Sequence, residues 1–83
     1  MKTKKIQLYF KQQGREEEFT IGGYDTAIEF EKCCKNTTPK NIERAKTEYI
    51  RVVVDTPDYK LNKTYTNIYS IRKVATKLVS LGL

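Results

Sequence analysis

The sequence predicts a small single α+β domain spanning residues 1–83. An antiparallel sheet of three to four strands, in the order ββαβ(β)α, packs against two helices. Three observations lead there. Residues 4–11 alternate apolar and polar side chains and run into Gln13-Gly14, the mark of a half-buried strand entering a turn. Ile50, Val52, Val53 and Val54 form a β-branched run suited to a central strand. Residues 67–81 place Ile68, Ile71, Val74, Ala75, Leu78 and Leu81 on one side of a helix, with Tyr69, Arg72, Lys73, Thr76, Lys77 and Ser80 on the other. Eighty-three residues make one domain toward the lower end of what folds without disulfides or metal. About twenty apolar side chains at inward positions make a core feasible but thin.

In the first strand Ile6, Leu8 and Phe10 point one way and Lys5, Gln7, Tyr9 and Lys11 the other. A two-residue turn at Gln13-Gly14 pairs residues whose numbers sum to 27. Leu8 then faces Phe19, Ile6 faces Ile21, Lys11 faces Glu16 and Tyr9 faces Glu18. Gly22-Gly23 is expected to end the second strand. Asp25 or Thr26 caps a helix, Thr26 and Glu29 having capping-box spacing, and Ala27, Phe30 and Cys34 form its inward stripe to about Lys35.

Asn36 to Pro39 breaks that helix. Thr38-Pro39 then fits an N-cap with proline at N1, opening either a short helix over Ile42 and Ala45 or a single turn. The next strand runs from Glu48 to Asp55, and Thr56-Pro57-Asp58-Tyr59 fits a turn. Residues 59–64 alternate weakly, as a fourth strand or an extended loop. As a strand they set Val54 against Leu61 and Asp55 against Lys60. Thr66 or Asn67 caps the last helix and Gly82 ends it.

Charge is segregated. The net charge is +6, yet residues 1–31 hold five basic and six acidic side chains, whereas residues 32–83 hold eleven and four. From Lys60 onward there are five basic side chains and no acidic one. Such asymmetry points to an anionic partner, nucleic acid before a membrane surface. Membrane attachment through the last helix is disfavoured, because its apolar side lacks an interfacial aromatic and is needed for the core.

Catalytic chemistry is sparse. Without histidine the usual general base, metal ligand and triads are missing. No phosphate-binding glycine motif occurs, and Glu16-Glu17-Glu18 reads as a charged hairpin tip beside Lys11 and Arg15. Cys33 and Cys34 are adjacent, which opposes a disulfide between them, and two sulfurs cannot complete a zinc site. Cys34 fits the buried stripe of its helix. Reduced thiols with no signal peptide or long apolar run point to a cytoplasmic protein. No enzyme, cofactor or metal is expected.

Tyr59, Lys60, Lys63, Tyr65, Tyr69, Arg72, Lys73 and Lys77 interleave aromatic and basic groups over nineteen positions. Cations for phosphates and rings for bases or sugars are what a nucleic-acid surface needs, whether for DNA or RNA. The same residues also suit a solvated helix face with tyrosines used in packing. The expected function is a small non-enzymatic nucleic-acid-binding protein. The alternative is a protein-binding module or inhibitor, of mobile-element or anti-defence type, docking on an acidic surface of a nucleic-acid-handling protein. A homodimer through a sheet edge is a further expectation.

Overall fold

A computed structural model describes residues 5–83. The elements are β1 (Ile6–Gln12), β2 (Glu18–Tyr24), α1 (Ala27–Asn36), α2 (Pro39–Arg44), β3 (Thr47–Asp55), β4 (Lys60–Tyr65) and α3 (Ile68–Ser80). The strands form one antiparallel sheet in the order β2-β1-β3-β4. The fourth strand is real, and Thr38-Pro39 opens a short third helix in addition to the two expected.

Alternation along the central strands decides which face is covered. Ile6 and Leu8 on β1, with Ile50, Val52 and Val54 on β3, are buried against Ala27, Phe30 and Cys34 of α1 and Ile68, Ile71, Ala75 and Leu78 of α3. Burying these apolar side chains contributes about 1.5–3 kcal/mol for each large one and drives the fold. Tyr59 in the turn before β4, and Leu61 and Tyr65 on β4, extend this layer. The other sheet face carries no helix; Gln7, Tyr9, Lys11, Tyr49, Arg51 and Val53 lie there half-buried among themselves.

Each helix begins where a side chain satisfies an otherwise orphaned amide. The Thr26 hydroxyl accepts from the Glu29 amide at 3.3 Å, Thr38 from Asn41 at 3.2 Å, and the Asn67 side-chain oxygen from Ser70 at 2.9 Å. At the end of α3, Gly82 takes φ +77°; its amide donates to the Val79 carbonyl and that of Leu83 to Leu78. This is a Schellman closure, which needs the left-handed conformation glycine adopts without strain.

Of the two hairpins, β3-β4 has the expected register, with Val54 opposite Leu61 and Asp55 opposite Lys60. Thr56 closes its turn through both backbone and hydroxyl: the Thr56 amide and hydroxyl each donate to the Tyr59 carbonyl, at 3.0 and 2.8 Å. The β1-β2 hairpin differs. Lys11 pairs with Glu18, Phe10 with Phe19 and Tyr9 with Thr20, two residues away from the tight-hairpin register. The Gln12–Arg15 turn forms, with Gly14 at φ +80°, but Arg15, Glu16 and Glu17 extend the loop. Tertiary bonds outcompete the tight hairpin: the Gln13 amide donates to the Lys46 carbonyl at 2.7 Å and the Gln12 side chain to the Ala45 carbonyl at 3.1 Å.

A bulge at Ile21 then shifts the pairing by one more residue, so that Leu8 faces Gly22 and Ile6 faces Tyr24. The strand therefore continues through Gly22-Gly23. Tyr24, in place of Ile21, joins the core face beside Ile6, its ring 5.8 Å from that of Phe30. Lys11 ion-pairs with Glu48 instead of Glu16.

Candidate nucleic-acid interface

Helix α3 presents three cations and no anion, and the surrounding structure gives each cation a different task. Arg72 turns toward α1. Its Nε donates to the Cys34 carbonyl at 3.1 Å and its Nη2 to the Thr37 carbonyl at 2.7 Å. These acceptors lie at the C-terminal end of α1, where the Cys34 carbonyl already takes the Thr37 amide at 3.3 Å and Arg72 adds a side-chain cap. Arg72 thus ties α3 to α1, leaving its ring neighbour Tyr69 5.6 Å away. Tyr69 itself is 59% exposed.

Lys77 leans the other way, toward β4, with its ammonium 5.7 Å from the Tyr59 ring. Lys73 lies between these directions and is exposed. On β4 the Lys63 ammonium stands 5.7 Å from the Tyr65 ring, and Lys60 lies 3.7 Å from Asp55 in an exposed pair. The tyrosines divide similarly. Tyr59 and Tyr65 are packed against the core, where burial raises the Tyr65 hydroxyl pKa, while Tyr69 stays outside.

The interleaving seen in the sequence therefore becomes three cation–ring pairs: Tyr59 with Lys77, Tyr65 with Lys63 and Tyr69 with Arg72. An ammonium near a ring face is held in place without being neutralised. Lys63, Lys73 and Lys77 have no ion-pair partner among the described residues. The eight residues do not form one surface patch of equal members. Lys63, Lys73, Lys77 and Tyr69 are outward groups, Lys60 is partly neutralised, and Arg72, Tyr59 and Tyr65 support them. Across the three helices there are seven basic and three acidic side chains, so the helical side is the more cationic one.

A second polar cluster, on the open face of the sheet, escapes a reading of local pattern. Arg51 on β3 donates to both Glu18 carboxylate oxygens on β2, at 2.6 and 3.1 Å, and to the Asn62 side-chain oxygen on β4 at 3.2 Å. Its guanidinium lies 4.5 Å from the Tyr9 ring on β1. The Tyr49 hydroxyl donates to Glu18 at 2.8 Å. The Arg51 bonds, followed by the Tyr49 hydroxyl, hold the Glu18 carboxyl below its usual pKa against the opposing effect of burial. The same contacts raise Arg51 and Tyr49. This cluster laces four strands and is internally neutralised, which suits it to holding the sheet more than to attracting an anion. Its only sequence signal is the outward position of Tyr9 and Arg51 between buried neighbours.

Between the sheet and α1/α2 lies an apolar crevice of about 190 Å³ lined by Phe10, Ile21, Cys33, Ile42 and Ile50 among others. Cys34 also borders it, its thiol pushed up to about 12 by burial and then by the neighbouring Cys33. That makes Cys34 a packing group rather than a nucleophile. Among the described residues no group of three or more potential metal ligands comes together, and no helix is long and apolar enough to cross a membrane.

Comparison with protein-family models, with curated proteins and with solved structures found no match.

Proposed function

We propose that this protein binds nucleic acid, without a catalytic step, through the outward face of α3 and the adjoining β4. One observation carries the reading: α3 holds cations without anions, and Lys63, Lys73 and Lys77 remain free of acidic partners among the described residues. The helical rise places Lys73 and Lys77 about 6 Å apart along the axis, so that both can engage one phosphate backbone. Tyr69 supplies an exposed ring for an unpaired base or a hydroxyl for the backbone. Arg72 acts by fixing α3 on α1, so the proposed contacts stand on a rigid layer.

An acidic protein surface would meet the same lysines. The two partners separate in a direct assay with fluorescent single- and double-stranded oligonucleotides. Reversing Lys63, Lys73 and Lys77 to Glu, with Arg72 left intact, is expected to abolish binding while the melting temperature holds. Unchanged affinity in that variant overturns the reading. Absence of oligonucleotide binding by the wild type overturns it in favour of a protein partner.

A further inference from the structure

Tyr69 is the large hydrophobic side chain with the greatest exposure among the described residues, and it does not stand on a flat surface. Its ring lines a notch of about 90 Å³ between the starts of α2 and α3, with Pro39, Ile42, Thr66, Asn67 and Ile68. The lining is chiefly apolar. Asn67 caps α3 through its side-chain oxygen, 2.9 Å from the Ser70 amide, which leaves its NH2 group to donate at the rim. Each wall of the notch continues into cations. Lys73 stands one turn beyond Tyr69 in the same row of α3, and Lys77 one turn further. On α2, Lys40 follows Pro39 directly and Arg44 lies one turn on. Lys40, Arg44 and Lys46 surround a shallow hollow with Glu43 as its one acid. None of these three cations has an ion-pair partner among the described residues.

We infer that the nucleic acid bound by this protein is single-stranded, with one unpaired base lodged between Tyr69 and the wall formed by Pro39 and Ile42. Its backbone passes from Lys73 and Lys77 on α3 to Lys40 and Arg44 on α2. This inference rests on the nucleic-acid reading and carries its footprint from α3 onto α2. The notch selects the form of the ligand. An apolar recess offers nothing to a phosphate, and bases in a duplex keep their faces stacked on one another. An unpaired base has a free face to set against the Tyr69 ring, while its polar edge meets Asn67 and Thr66 at the rim. Cations on both helices then neutralise the phosphates before and after that base.

Binding of three oligonucleotides of equal length tests it: a single strand, a blunt duplex of the same sequence, and a strand of abasic units that keeps every phosphate. The single strand is expected to bind about tenfold or more tighter than either of the others. Tyr69→Ala should weaken the single strand about tenfold without changing its salt slope, and Tyr69→Phe should restore it, because the ring and not the hydroxyl stacks. Lys40→Ala should make the slope shallower by roughly one unit. A duplex or an abasic strand bound as tightly as the single strand overturns the inference and leaves the nucleic-acid reading standing. So does single-strand affinity unchanged in Tyr69→Ala, or a slope unchanged in Lys40→Ala. No binding of any of the three overturns both. Should Tyr69→Ala fail to fold, the abasic comparison on the wild type decides.

Discussion

Arg51 on β3 reaches across the whole width of β1 to grip both carboxylate oxygens of Glu18 on β2, at 2.6 and 3.1 Å. The intervening strand contributes the Tyr9 ring over which the guanidinium passes, and β4 contributes Asn62. The pair is partly screened from water, with side chains 29% and 23% exposed, and its bidentate geometry places it above an ordinary surface ion pair. Arg51→Ala is expected to destabilise the domain by about 1–2 kcal/mol. In a domain of this size that lowers Tm by roughly 5–15 °C. Arg51→Lys should recover little, because an ammonium cannot form the fork. Chemical denaturation of both variants measures the loss.

Acid should act through the same pair. The Glu18 carboxyl is held below its ordinary value of 4.5 in the folded protein. A lowered folded value means the unfolded chain takes up the proton first, so the stabilisation is full above the unfolded value and lost as pH falls through the folded one. Melting temperatures between about pH 6 and pH 3 should therefore decline more steeply for the wild type than for Glu18→Gln. Parallel curves would show that the pair contributes nothing to acid sensitivity.

Arg72 and Lys73 are neighbours in sequence with opposite roles. Arg72→Lys removes two part-buried bonds to the C-terminal end of α1 and is expected to cost about 1–2 kcal/mol. Lys73→Ala, at an exposed position, should change stability by no more than about 0.5 kcal/mol. Thermal melts of the two single variants check the contrast.

Much of the fold was legible because local pattern and tertiary need agree in the relevant stretches. Ile6 and Leu8, the run through Val52 and Val54, and Ile68, Ile71, Ala75 and Leu78 of α3 are buried where periodicity assigns them inward. Phe10 and Val74 are half-buried, and Leu81, expected on the same stripe, is 50% exposed just past the end of the helix. The β3-β4 register was legible too, since Thr56 to Tyr59 closes by local bonds alone. The β1-β2 register was not, because it is decided by contacts from Gln12 and Gln13 to the end of α2, more than thirty residues away. The candidate site shows the same division. Composition locates the cationic stretch, but only the packing reveals that Arg72 serves α1, or that Arg51 and Glu18 meet across a strand.

The two adjacent cysteines should behave differently toward a thiol reagent. Cys34 is buried with its pKa at about 12, and Cys33 is half-buried at the crevice. Native protein is expected to titrate as one thiol on the minutes scale and as two after denaturation. Two fast-reacting thiols in the native state would contradict the packing of α1.

The central claim is that cations on α3 and β4 meet phosphates. Each phosphate neutralised releases counterions, so the logarithm of the binding constant must fall linearly with the logarithm of salt. The decisive measurement is this slope for wild type and for Lys73→Ala on the same oligonucleotide. Phosphate contacts by these lysines require a steep negative slope that becomes shallower by roughly one unit on losing Lys73. A slope near zero, or one that Lys73→Ala leaves unchanged, would contradict it.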